Sequence, residues 1–531
     1  MKRSVKVLLL VCGLLAAFAS IGAGQQLVRI GCSWPTYIDP AVGLDESSTA
    51  SMINLYDTLV HPNSDGSISP HAAKSWQISS DFLSYTFKIR EGISFHNGNE
   101  LTAEDVKFSM DRLLAIGEGY SYLFRDRVDS TEVLDEYTVR FTLKAPFGPF
   151  ISALVRLFIL DKESVLEHTA SGPYGEFGDY GKEYLARNDA GSGPYTARDV
   201  RVEEYVLLER FADYWGEISP NAPDQVKFMK SPDPVTVKTL MKRGELEITD
   251  ASEPMESYEA MKQMEGVDVA NLYTGGCHYL MLHNGRMPTD DIHFRKALSW
   301  LFDYDELVST IFPGSVQASG PVSRIIGGHQ DGLFQYHKDL DKAREELRKS
   351  KYYDQLDEIV VVFGVNSDVP AQSKLALLLQ ADAAKIGVNI ELVNMPWATI
   401  VDVAADKERT PNLMYIAVAP SYAEAGSVLE SKYHSSSAGT WEQTEWVMNP
   451  LVDQLIEDAL ITIDRQERFE KYGLIQQIAV GSAFSIFVCE ALDFHGYQSA
   501  YLNWPQIENQ IPVTGYSYEC RFIEVFPEKK P

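Results

Sequence analysis

From Pro70 to Met110 the chain reads PHAAKSWQISSDFLSYTFKIREGISFHNGNELTAEDVKFSM, and its apolar period changes from that of a strand to that of a helix. Tyr85, Phe87 and Ile89 alternate with Thr86, Lys88 and Arg90, the period of two expected of a strand with one buried face. Glu91-Gly92 and Asn97-Gly98 mark turns, because Gly and Asn tolerate positive φ. Thr102 stands as an N-cap with Asp105 at N3, a shorter version of the capping box. Ala103, Val106, Met110, Leu113 and Leu114 then fall roughly on one side of the helix that follows. The segment predicts strand, turn, short strand, helix.

At 531 residues the chain has room for roughly two to four domains and a large core. Met1 to about Gly24 reads as a secretory signal: Lys2, Arg3 and Lys6 precede an apolar run from Val7 to Ile21, with small residues at Gly22, Ala23 and Gly24. Cleavage is expected after Ala23 or Gly24. The residues before Cys12 and Cys32 make poor lipoboxes, which favours a free periplasmic protein over a lipoprotein. No later stretch approaches the unbroken apolar length of a membrane span. Losing the three basic leader residues takes the formal charge from -28 to -31, a surface that repels phosphate backbones and excludes nucleic acid as the expected partner. Cys32, Cys277, Cys489 and Cys520 remain, and an exported location permits disulfides without choosing among their pairings.

In chain order, Leu27 to Cys32 reads as a short strand, Ser47 to Val60 as a helix and Tyr137 to Leu143 as a second alternating strand. Pro149 to Leu157 reads as helix-like, and Ser171 to Tyr184 as a surface loop that reaches toward any cleft. Gly191-Ser192-Gly193-Pro194-Tyr195 is no nucleotide loop, since Pro194 removes a donor and the third glycine is missing. A boundary is expected near Asn271 to Gly276, followed by a strand from Tyr279 to Leu282. Beyond it helix and strand alternate: Leu340 to Lys349, Glu358 to Val365, Gln372 to Ile386, and Val388 to Val393 after a helix stop at Gly387. Helices over Pro450 to Ile461 and Arg465 to Val480 and a last strand, Phe484 to Val488, complete an α/β pattern with parallel strands.

Pro70, Ala73, Trp76, Asp81, Tyr85, Phe87, Arg90, Gly92, Phe95, His96, Gly98, Thr102, Ala103, Asp105 and Val106 together resemble the signature of family 5 extracellular solute-binding proteins, the peptide, nickel and oligosaccharide receptors of ABC importers. Tyr37-Ile38-Asp39-Pro40, the Gly191 to Tyr195 turn, Tyr214-Trp215-Gly216, His283-Asn284 and Asp291 to Leu298 resemble further family segments. Phe211-Ala212-Asp213 departs from it. The resemblance implies an α/β, two-lobed periplasmic-binding-protein fold of type II, cluster C-like, with an extra N-terminal subdomain. The implied division is signal peptide 1–24, first lobe 25–275 with the subdomain at about 60–195, second lobe 276–490, and 491–531 returning to the first lobe. It also implies a monomer that captures a small solute by hinge closure and hands it to an inner-membrane ABC permease.

In peptide-binding relatives a Trp-x-x-Asp segment, followed by an acidic residue and Pro, fixes the ligand's ammonium group, as a charge-assisted hydrogen bond in a dry cleft can. Within Met414 to His434 this chain has Val418 at the Trp position, Ser421 at the Asp position and Glu424-Ala425 where the acid and Pro would be. Ser421, Tyr422 and Glu424 are therefore candidate ligand residues. Trp397 matches an aromatic that lines the pocket in relatives, and Trp441, Trp34, Tyr120 and Tyr122 offer further flat surfaces for sugar rings or apolar side chains, with Tyr433 as another. Two ligand classes stay open: an oligopeptide or peptide-like solute, and an oligosaccharide or other uncharged solute. No cofactor and no metal site are expected, since His278 and His283 lie five apart on a strand and face opposite sides. No Gly-x-Ser-x-Gly elbow, Ser-x-x-Lys, His-Glu-x-x-His, Cys-x-x-Cys or Walker loop is present, which leaves a secreted hydrolase as a minor alternative and no catalytic residue to name.

Overall fold

A computed structural model describes residues 26–33, 37–367 and 369–530. The signal segment and Trp34 lie outside the described residues.

Two sheets lie at the hearts of two lobes. The first is ordered Leu27–Cys32, Gln225–Lys230, Tyr205–Arg210, Tyr195–Arg201, with the first pair parallel and the others antiparallel. The second is ordered Asn389–Met395, Val360–Asn366, Leu413–Val418, Asp268–Leu282, Ser485–Tyr497. Its first three strands run parallel, as the helix and strand alternation predicts, and the two long strands are antiparallel to their neighbours. Gly387 ends the helix Pro370–Ala384 at φ +79°, a backbone angle that a β-carbon disfavours, and the strand Asn389–Met395 follows at once.

The segment that opens the sequence argument becomes a separate antiparallel sheet, Ala73–Ile78, Ser84–Ile89, Thr138–Leu143, Val128–Asp135. Tyr85, Phe87 and Ile89 are buried, as are Val139, Phe141 and Leu143 on the paired strand. The helix Ala103–Ile116 packs on this sheet. Asp105 reaches back to accept hydrogen bonds from the Thr102 backbone N–H at 2.8 Å and its hydroxyl at 2.9 Å.

Four elements differ from expectation, and the first is the short strand expected between Gly92 and Thr102, which is reduced to a single bridge between Ser94 and Glu100. The helix expected over Ser47 to Val60 runs only Glu46–Leu55, and Val60 begins a short strand instead. The strand expected at Phe484 to Val488 extends through Tyr497. The strand expected from Tyr279 begins at Asp268, so the expected boundary at Asn271 to Gly276 lies inside a continuous strand. The Gly275-Gly276 pair lies in an irregularity of that strand: pairing with the partner strand shifts register between Tyr273 and Cys277, and Gly275 sits at φ +78°.

The Asp39 turn is held by charge. Arg112, from the helix Ala103–Ile116, donates to both Asp39 carboxylate oxygens at 2.7 Å, and its Nε donates to the Tyr180 carbonyl at 2.8 Å. Both side chains are almost wholly out of solvent, so each charge depends on the other. Asp39→Ala is expected to destabilise the protein by about 3–5 kcal/mol, and the double substitution Asp39→Ala with Arg112→Met by clearly less, because no buried charge is then stranded. Urea unfolding of both variants checks this, and equal losses would refute it.

Candidate functional site

Between the two lobes lies a cavity of about 350 Å³. One wall comes from the first lobe: the end of the strand Leu27–Cys32, the start of the helix Glu46–Leu55, the loop from Asp250 to Met255, and Asp493 on the long strand Ser485–Tyr497. The opposite wall is built from Asn366, Trp397, the strand end at Tyr415 to Ala419, Ser421, Trp441 and Glu442. Contacts between the lobes close it from behind. Arg156, fully buried, donates from Nε to the Ser421 carbonyl at 2.7 Å and from Nη2 to the Thr514 carbonyl at 3.0 Å.

Trp397, Ser421 and Trp441 thus share one wall. The two indoles meet edge to face, with centroids 5.3 Å apart and planes at 66°. The Ser421 hydroxyl is 2.8 Å from the Tyr122 hydroxyl, and its backbone N–H donates to Ser427 Oγ at 2.7 Å. Tyr122 stands one residue behind the wall. Tyr120 is deeper still, under the Arg156 guanidinium at 4.7 Å, with its hydroxyl 2.9 Å from Thr49 Oγ1 and donating to the Leu44 carbonyl. Tyr422 is completely buried away from the lining. Glu424 also lies off the lining: Arg468 holds it with contacts at 2.5 and 3.1 Å, and the Tyr472 hydroxyl donates to it at 3.0 Å. A carboxylate off the lining and already neutralised by a guanidinium is not placed to anchor a ligand amine.

Acidic residues that sequence reasoning did not single out line the cavity: Asp45, Glu46, Asp250, Glu253 and Asp493 from the first lobe and Glu442 from the second. Asp45 and Asp250 have local work. Asp45 caps its helix through the Ser48 N–H at 2.9 Å, and Asp250 accepts from the Ser33 hydroxyl at 2.8 Å and the Ser252 N–H at 2.7 Å. Glu46, Asp493 and Glu442 accept no side-chain hydrogen bond among the described residues. Glu46 keeps open surface and contributes to the cavity lining.

The electrostatic consequence follows from desolvation and like charge. Burial, then Asp493, Asp250 and Asp45, push the Glu46 carboxyl up to about 8, and burial and Asp250 push Asp493 to about 7. Glu253 is raised to about 7 by burial and Asp250, and Glu442 to about 7 by burial against the opposing pull of Lys432. No cation balances them within the lining except Lys374, which reaches Glu256 at 2.9 Å in an exposed pair. His278, also in the lining, has its pKa lowered to about 4 by burial, with Nδ1 2.7 Å from the Tyr415 hydroxyl, so it is neutral at physiological pH. Among the described residues no group of three or more His, Cys, Asp or Glu side chains is arranged to hold a metal ion.

These acids were hidden because their positions, 46, 250, 442 and 493, are far apart in sequence and follow no spacing rule. The adjacent pair Asp45-Glu46 at a helix start was the only local signal, and helix capping accounts for it fully. Their raised pKa values mean that Glu46 and Asp493 hold more protons in the folded, ligand-free protein than in the unfolded chain between the ordinary carboxylate range and about pH 8. Their contribution to stability therefore falls as pH rises through that window. Glu46→Gln is expected to raise the melting temperature at pH 8.5 by about 1–2 °C and to leave it unchanged at pH 5. Thermal melts at the two pH values check this, and a pH-independent difference would refute it.

Comparison with known proteins matches residues 67–440 to the family described as bacterial extracellular solute-binding proteins, family 5. Over 504 residues the chain is 28% identical to the probable D,D-dipeptide-binding periplasmic protein DdpA of Escherichia coli, covering 92% of this chain and 94% of that one. It is 27% identical over 462 residues to the glutathione-binding protein GsiB of Pectobacterium atrosepticum, covering 85% of each. Its fold is similar to that of the periplasmic binding protein DppA of Helicobacter pylori, solved with the peptide STSA, with a TM-score of 0.82 at 24% identity over 96% of this chain and 98% of the other. The sheet order, the enclosed cavity between two lobes and the family match across most of the chain agree: this protein belongs to the family 5 extracellular solute-binding proteins.

Proposed function

We propose that the protein is the periplasmic receptor of an ABC importer, which encloses a peptide or peptide-like solute between its lobes and presents it to an inner-membrane permease. The observation that carries this reading is the enclosed cavity of about 350 Å³, at the lower end of the range of small-molecule sites, with polar groups on both walls and a Trp397–Trp441 corner. The relatives named for dipeptides and glutathione support a ligand of this size and kind. Among the described residues no helix is long and apolar enough to cross a membrane, in keeping with export behind the leader at 1–24.

The lobes run from 25 to 275, with the subdomain at about 60–195, and from 276 to 490, with 491–531 returning to the first. Hinge closure centres on the paired long strands, where the register shift between Tyr273 and Cys277 interrupts the ladder beside the cavity. Ligand contacts from both walls then stabilise the shut form. Trp397 and Trp441 supply flat contact surface and Ser421 a hydroxyl. Tyr122 orients that hydroxyl, and Tyr120, Tyr422 and Glu424 brace the wall from behind. Binding occurs without turnover, by a monomer.

The aromatic corner also suits an oligosaccharide, which would stack on it. Uncharged rings, however, leave the cavity's carboxylates without a partner, and the peptide-like reading stands ahead for that reason. A thermal-shift screen of refolded, ligand-free protein against di- to pentapeptides and cello-oligosaccharides separates the two, since a ligand that binds only the native state raises the melting temperature. Peptides are expected to shift it and sugars to leave it unmoved, and the reverse would overturn the reading. Trp397→Ala should weaken the peptide that binds best by about tenfold or more, read by calorimetry. An unchanged affinity would remove Trp397 from the site.

A further inference from the structure

We infer that the solute is an organic cation, and that its amine or guanidinium group sits on the first-lobe wall formed by Glu46, Asp250 and Asp493. This rests on the receptor reading above and names the class of solute that the same cavity selects.

Glu46, Asp250, Glu253 and Asp493 face one end of the cavity and Glu442 faces the other, while Lys374, already beside Glu256, is the lining's one lysine or arginine. Glu46 and Asp493 accept no hydrogen bond among the described residues, and Glu253 Oε2 is a fully buried oxygen without a partner. Elsewhere among the described residues buried carboxylates meet a cation. Asp39 is held by Arg112, Glu424 by Arg468 and Glu445 by Lys432, each pair nearly or wholly out of solvent, and Asp105 and Asp161, which have no cation, are held by hydrogen bonds. Carboxylates gathered without a cation where the molecule opens its ligand space indicate that the ligand brings the positive charge.

Two alternatives fail on the same geometry. A metal ion does not suit the wall, because no three donors there are arranged to ligate one. An anionic solute, or a zwitterion with its carboxylate at this end, meets like charge with no guanidinium in the lining to receive it. The carboxylates face one another and few other charges: Glu46 faces Asp45, Asp250 and Asp493, while Glu253 faces Asp250, Asp233 and Lys238. Without ligand the cluster holds protons near neutral pH, as the raised pKa values of Glu46 and Asp493 require. Capture of a cation therefore expels protons, and affinity rises with pH between about 6 and 8.5.

The test is calorimetric titration of refolded, ligand-free protein at pH 7.5 with matched dipeptides, Ala-Lys and Lys-Ala against the same peptides acetylated on the lysine side chain. The simple diamine cadaverine and the guanidinium compound agmatine are titrated alongside. The lysyl peptides are expected to bind at least about tenfold more tightly than their acetylated forms. Glu46→Gln with Asp493→Asn is expected to bring that ratio within about twofold of one. Both substitutions relieve repulsion between like charges, so the variant's melting temperature is expected not to fall, and Asp493→Asn alone gives a second reading of the same ratio. Titration in buffers of different ionisation enthalpy is expected to report protons released on binding. Equal affinity for charged and acetylated peptides, or a ratio untouched by the double variant, would overturn the inference while leaving a peptide receptor intact. Binding of the amines without any peptide would overturn the peptide reading and uphold the cation. No binding of either class would overturn both.

Discussion

The two long strands Asp268–Leu282 and Ser485–Tyr497 are the constraint on which the architecture depends. A chain that passes between two lobes exposes backbone donors and acceptors at the crossing, and each one left unpaired in a buried place is costly. Here the two crossings run side by side and satisfy one another. Pairing extends from Met281 opposite Ser485 in the second sheet to Asp268 opposite Tyr497, and Tyr497 bridges to Ile248, which bridges to Ile30 in the first sheet. The ladder shifts register between Tyr273 and Cys277, where Thr274 and Gly276 line the cavity, and again between His278 and Tyr279. The same ribbon that joins the lobes thus carries His278 and Asp493 into the ligand space, which ties the position of the site to the crossing itself.

Much of the local structure was legible because it depends on local rules. The alternation at Tyr85, Phe87 and Ile89 places one face in the core, and Thr102 with Asp105 opens a helix through contacts three residues apart. Leu340–Lys349 and Pro450–Ile461 have the bounds that their caps and periodicity suggest. The boundary expected near Asn271 to Gly276 falls inside a strand for a physical reason: pairing that runs to Tyr273 and resumes at Cys277 carries the strand across the irregularity between them. Val60 was drawn into the preceding helix by its apolar character, although the Tyr56 to Leu59 segment turns it into a strand.

The site was legible in its aromatic half and silent in its acidic half. Trp397, Ser421 and Trp441 sit on one wall of the cavity, whereas Glu424, offered by its place in the sequence, is committed to Arg468, a residue on a helix that no spacing rule links to it. Arg156, which joins the Ser421 and Thr514 carbonyls behind the wall, gave no sign in a helix-like apolar run. Glu46, Asp250 and Asp493 converge only through tertiary structure, and each taken alone is an ordinary acid in a chain with a formal charge of -28.

That contrast separates two uses of the same side chain. Where a carboxylate meets its cation inside the protein, as Asp39 meets Arg112 or Glu445 meets Lys432, neither member can be removed without stranding the other, and the pair fixes one arrangement of the chain. Where a carboxylate is gathered with others and given no cation, folding gains nothing from it, and burial first, then the neighbouring carboxylates, raise the pKa values of Glu46 and Asp493. Such an arrangement destabilises the empty receptor and is relieved by a positively charged solute, so free energy withheld from folding becomes available to binding. Relief of that kind acts across the gap between the lobes, because Glu442 faces the cluster from the other wall, and a bound cation attracts both walls at once. Closure and charge selection are then one event, in which the positive charge of the solute draws the two walls together.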